Sequence, residues 1–253
     1  MSCPSAHRVL VVLLCMAGIG AAGQDTQTTH PPDYRGVQTH IPGVFVTPIP
    51  GAPFSGTVEI LSKEILPDGS TYTRHTMNHI ARNSAGVIHN ERRRLVSPQF
   101  KGEPAILSIH IYDPRTRLNT FLDPATRIAR QSVFKGQPRP PVNSTPPTPE
   151  ELQRAQGITV QDLGTATIAG IPLHGTRKLR VVPALSSGTG QDVTITDDYW
   201  YSEELRLYLV LKHSDPRTGE QTVGITQIDR SEPDPSLFVI PSVYKVVDET
   251  PVE

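Results

Sequence analysis

The run FSGTVEILSKEIL (54–66), followed by PDG (67–69) and STYTRHTMNHIAR (70–82), decides the fold. Residues 54–66 and 70–82 each read as a strand, and Pro67-Asp68-Gly69 as the tight turn between them, because Asp and Gly tolerate the backbone angles such a turn requires. Asn83-Ser84-Ala85-Gly86 turns the chain again, into a third strand over 87–96. Three long strands joined by short turns make an antiparallel meander.

Outward from this meander the same grammar repeats. Residues 105–112 alternate, with Leu107, Ile109 and Ile111 on one side and Ile106, Ser108, His110 and Tyr112 on the other. Three related turns follow strand-like runs: Asp113-Pro114-Arg115-Thr116-Arg117, Asp123-Pro124-Ala125-Thr126-Arg127 and Asp215-Pro216-Arg217-Thr218-Gly219. Asp at the first position accepts backbone N–H bonds and Pro at the second presets φ, as a type I turn needs. One acid per copy is too few for a calcium loop. Further strands are expected over 159–169, 174–182, 192–201, 205–213 and 221–229. The Ser-Ser-Gly-Thr-Gly run at 186–190 has the composition of an exposed hairpin loop, and it lacks the Gly-Lys-Ser/Thr ending of a nucleotide-phosphate loop.

Between the two strand-rich halves lies 135–149, with six prolines, which reads as a Pro-rich surface loop. Residues 149–156 read as one or two helical turns, with Pro149 at the start and Gly157 as the stop. The N-terminus reads as an export signal over 1–23: Arg8, an apolar core from Val9 to Ile19, and Ala21-Ala22-Gly23 before the cut. Residues 24–52 form a flexible leader, and 54–250 a single β-rich domain. Both cysteines, Cys3 and Cys15, lie in the signal, so the mature chain is expected to hold neither a disulfide nor a thiolate site. A chain of some 230 residues buries a sufficient core without such staples.

Composition narrows the function classes. The 253 residues carry 24 basic and 25 acidic side chains, so no broad positive field recommends a nucleic-acid partner. Removing the signal takes Arg8 with it and leaves 23 basic side chains, in a product expected to be soluble, exported, and periplasmic or extracellular. No cofactor motif is present, and no metal is expected. His75 and His79 share a strand face with Met77 between them, and a hairpin turning at Ser84-Ala85 pairs His79 with Asn90, Met77 with Arg92 and His75 with Arg94. Arginines beside imidazoles disfavour a bound cation. Arg92 and Arg94 are instead candidates for an anionic contact. Trp200 faces away from Tyr199 and Tyr201 and is a candidate for the core or for a ligand groove. Serines are plentiful, but none lies in a Gly-x-Ser-x-Gly elbow. Asn143-Ser144-Thr145 fits the glycosylation pattern on an exposed loop, a match that is incidental if the source is bacterial.

Leu163-Gly164-Thr165, Ile168-Ala169-Gly170, His174-Gly175-Thr176-Arg177, Asp198-Tyr199-Trp200-Tyr201-Ser202 and the ending Pro233-Asp234-Pro235, Leu237-Phe238, Pro241, Tyr244-Lys245 resemble uncharacterised secreted proteins of soil acidobacteria. More distantly, the order of a long meander, a Gly-rich middle, an aromatic strand at Trp200 and a short Pro-Ser-Leu-Phe segment is similar to the periplasmic lipoprotein carriers (LolA- and LolB-like) and the RseB-like sigma regulators. That resemblance implies a strongly curved antiparallel sheet, an open half-barrel with few short helices; on generic grounds the alternative is a β-sandwich. It implies a non-catalytic envelope protein that binds a lipid, another apolar molecule or an envelope protein on a concave face. Ile109, Ile111, Trp200, Leu207, Leu209 and Leu211 are the candidate lining. Two alternatives stand beside it: a hydrolase assembled from separate strands, with His110 or His79 as base, and a purely structural or protein-docking module.

Overall fold

The computed structural model describes residue 44 and residues 46–66, 68–134 and 157–251. The expected helix at 149–156 and the loop at 135–149 lie outside the described residues. Among the described residues, twelve strands form the frame. They are β1 (Phe54–Ile65), β2 (Thr71–Arg82), β3 (Ile88–Arg93), β4 (Ile106–Asp113), β5 (Leu118–Asp123), β6 (Ile128–Val133), β7 (Ile158–Ile168), β8 (Ile171–Val182), β9 (Val193–Ser202), β10 (Leu207–Asp215), β11 (Gly219–Asp229) and β12 (Lys245–Asp248). The described helix is minimal: one turn, α1 (Ala184–Ser187), and a 3-10 turn at Pro235–Phe238.

All twelve strands belong to one sheet, in the order β12-β6-β5-β4-β3-β2-β1-β11-β10-β9-β8-β7. Two meanders, β1 to β6 and β7 to β11, run outward in opposite directions and are joined where β1 pairs antiparallel with β11. Of these strands only β12 is parallel to its neighbour, β6.

This architecture corrects the expected shape. Among the described residues the sheet is open, with β12 and β7 at its edges, and it is not strongly curved into a half-barrel. Nor do the described strands divide into the two separate sheets of a sandwich, since one sheet contains all of them. Sharp bending or closure requires repeated bulges and glycine corners. Here register shifts interrupt only the pairings of β1 with β11, β3 with β4, β7 with β8 and β9 with β10. The other ladders run unbroken.

The principal core lies mainly on one face, where the registers align Phe54, Val58 and Ile60 of β1 with Ile80 of β2 and with Val223 and Ile225 of β11. Val44 and Val46 pack into the same cluster. Arg82 is fully buried there, its guanidinium 5.1 Å from the Phe54 ring and donating at 2.8 Å to each of the carbonyls of Thr47, Ala52 and Leu205. Three segments distant in sequence thus meet on one side chain. A second cluster, Val87, Ile111, Leu122 and Ala129, lies on the opposite face and is covered by Phe238, Ile240 and Tyr244 of the C-terminal segment. The ring of His89 fixes this cover: a carbonyl can only accept, so Nδ1–H donates to Leu237 O at 2.6 Å.

The β2–β3 hairpin differs from the expected register by one residue. Ile80 faces Asn90 and Arg82 faces Ile88, so His79 is not opposite Asn90. Asn83 accepts from the Val87 N–H through its side chain, and Gly86 takes φ 86°, which makes a five-residue loop in place of the even-numbered turn. A one-residue slip exchanges faces. His89 therefore falls on the same side as His79, and the ladder beyond Ile80 gives way to an isolated bridge between His75 and Val96.

Candidate functional site

The structure separates the residues expected to line one surface. Ile109 and Ile111 belong to the cluster beneath the C-terminal segment. Leu207, Leu209 and Leu211 belong to the principal core, where they are 2%, 0% and 8% exposed. Trp200 packs against that core, half-buried, its ring pressed on Gly175 so closely that a Cβ there would lie 2.7 Å from it. The arginine run divides three ways. Arg93 is buried, bonded to Glu91 at 2.9 Å and Glu103 at 2.7 Å; Arg92 is half-buried with Nε unpartnered; Arg94 is exposed.

What the sequence singled out less clearly is an aromatic patch on β9 and β10. Tyr201 is directly opposite Tyr208, and Tyr199 is on the same face, two residues along. Tyr208 meets both rings edge-on, with centroids 5.1 Å from Tyr201 and 5.7 Å from Tyr199, the arrangement that ring quadrupoles favour. Lys178 Nζ sits 5.2 Å from the Tyr199 centroid. Tyr199 also packs on the leucine-rich core, so the patch is the margin at which that core reaches solvent: Tyr208 is 40% exposed. Burial pushes the Tyr208 phenol above its usual pKa, with Tyr201 adding to the shift, so it stays a neutral donor. Tyr208 was missed in the sequence because one aromatic in an aliphatic strand is an ordinary core signal; its pairing with Tyr201 needs the register.

Base chemistry finds little support in the geometry. His110 is buried, stacked on Phe121 at 4.5 Å, and its Nε2–H donates to Asn119 Oδ1 at 2.6 Å. Burial pushes its pKa down to about 4, with the Asn119 bond opposing and His89 assisting the shift, which leaves a weak base. His79 is exposed, with Nδ1 3.5 Å from Thr57 Oγ1. A buried pair not foreseen in the sequence, Asp197 and His213, is joined at 2.6 Å. The hydroxyl in line with it is Ser62, beyond Gln221 and thus two strands from His213, roughly 10 Å away at the usual strand spacing. That is too far for proton transfer. Among the described residues no group of three or more His, Cys, Asp or Glu is placed to hold a metal ion.

No family model matches the chain, and no curated protein matches it. Several solved structures are distantly similar over most of its length. An uncharacterised conserved protein from Thermus thermophilus is 9% identical and covers 78% of this chain and 91% of its own, with a TM-score of 0.41. MucB is 13% identical, covering 78% of this chain and 60% of its own, at 0.36. A LolA-superfamily protein from Nitrosomonas europaea is 12% identical, covering 76% and 91%, at 0.29.

Proposed function

We propose that the chain is a non-catalytic, exported binding protein of the cell envelope that holds an apolar molecule at the tyrosine patch. The observation that carries this reading is the position of Tyr208: 40% exposed, flanked by two further tyrosines, and continuous through Tyr199 with a buried leucine cluster. Large rings with a polar tip suit a surface that is apolar on one side and wet on the other. Leu211 lies beside Tyr199 on the same face, and Trp200, on the other face of β9, packs against the same core. Export follows from the apolar segment at 9–19 and the small residues before Gln24.

A fluorescent fatty-acid or phospholipid probe, titrated into the protein, tests the reading. Saturable binding is expected, with Tyr208→Ser weakening it about tenfold by removing an aromatic anchor. Mass spectrometry of organic extracts from protein purified out of its own envelope should identify a co-purifying apolar molecule. Absence of both probe binding and extractable ligand would eliminate carriage and leave a docking role.

A further inference from the structure

On the face opposite the tyrosines, β1 and β8 to β11 carry a cavity of 370 Å3 lined by polar and charged residues. Its centre is Lys212, placed by the register between Asp198 on β9 and Thr222 on β11; in the next row Ser214 lies between Thr196 and Glu220. Each end is closed by an ion pair. Arg177 grips Asp198 through two bonds of 2.6 and 2.9 Å, and Lys63 approaches Glu220 at 3.7 Å. Both carboxylates in the groove are therefore already engaged by cations. Lys212 is exposed and makes no ion pair among the described residues, so three cations face two carboxylates and the surplus positive charge sits at the centre.

The chemistry of the groove selects an anion with several acceptor oxygens. An ammonium group supplies charge and up to three donors, and hydroxyls approach from three strands. A cation would find no uncommitted carboxylate. The volume exceeds what a bare oxyanion fills and falls at the small end of organic-ligand sites. We propose that this groove binds the phosphate group of a small phosphorylated molecule or of a lipid headgroup, with Lys212 as the anchoring charge and Thr196, Ser214 and Thr222 as hydroxyl donors. The proposal is independent of the tyrosine patch, since the two lie on opposite faces.

Calorimetric titration of the protein with inorganic phosphate, alongside flotation with phosphatidylglycerol and phosphatidylcholine vesicles, tests it. Lys212→Gln should weaken binding about tenfold and Lys212→Arg should retain it, as expected for a charge-assisted contact. Near-ultraviolet circular dichroism checks that both variants keep the native packing. Phosphate binding that depends on Lys212 supports the site with a soluble ligand as its source. Binding to phosphatidylglycerol vesicles alone, again lost in Lys212→Gln, supports it with a headgroup as the source. No binding in either arm, or equal binding by Lys212→Gln, overturns it.

Discussion

His110 shows how burial becomes a pH dependence. In the unfolded chain its imidazole titrates near 6.5, whereas the folded protein holds it down to about 4. Below 6.5 the unfolded state binds a proton that the folded state refuses, so stability present above 6.5 is lost as pH falls toward 4. The shift corresponds to at most about 3 kcal/mol. Denaturant midpoints should fall from pH 7 to pH 5.5, a window above most carboxylate titration, and His110→Gln should flatten the slope. An unchanged slope in the variant would assign the effect elsewhere. Arg82 illustrates the converse. Burial, with Arg206 nearby, pushes its guanidinium down to about 10, still charged at neutral pH, and three carbonyls compensate that charge. Neither environment was legible in the sequence, since Arg82 is bonded to Thr47, Ala52 and Leu205 and His110 to Asn119, and only the assembled register brings those partners in. By contrast, the opposed directions of Trp200 and its two tyrosines followed from strand alternation alone.

Among the elements, turns were the most legible because their chemistry is local. Asp113, Asp123 and Asp215 each accept the backbone N–H two residues on at 2.9 Å, and Arg117, Arg127 and Gly219 complete the turns with positive φ. The three copies differ in what surrounds them. Asp215 is buried and also bonded by the Arg217 side chain, which in turn donates to Ser187 O at 3.3 Å, tying the β10–β11 turn to α1. The Arg217 bonds hold the Asp215 carboxyl below the usual carboxylate range, so the stability it contributes is present at neutral pH and lost as pH falls through that depressed value. Asp215→Ala should cost about 1 kcal/mol at pH 7, because the turn bond and the tie to Arg217 are lost together; Asp123→Ala should shift the melting temperature less. Equal shifts would mean that the local turn bond alone matters. The β2–β3 hairpin marks where such legibility stops: strand and turn were both expected, but the side-chain bond from Asn83 lengthened the loop by one residue and exchanged the faces of everything beyond it.

At the scale of the whole molecule, mainly antiparallel architecture was readable from alternation, whereas the shape was not. Alternation specifies faces, and nothing in it says whether two meanders stack, curl or lie side by side. They lie side by side, and the β1–β11 ladder is their seam. Gly219 begins the second strand of that seam with φ 116°, and a Cβ there would come within 1.9 Å of the Lys63 carbonyl oxygen. No side-chain rotation relieves a clash with backbone, so Gly219→Ala must part β1 from β11 or distort the turn. We expect it to cost at least about 3 kcal/mol, roughly 10 °C in melting temperature for a chain of this size. Since each meander buries part of its apolar surface against the other across the seam, wild type should melt in one transition. The variant should expose β1 and β11 amides to hydrogen exchange ahead of those in β4 to β6, whose cluster under the C-terminal segment is separate. Uniform exchange across all strands in Gly219→Ala would show that the halves do not separate at this seam.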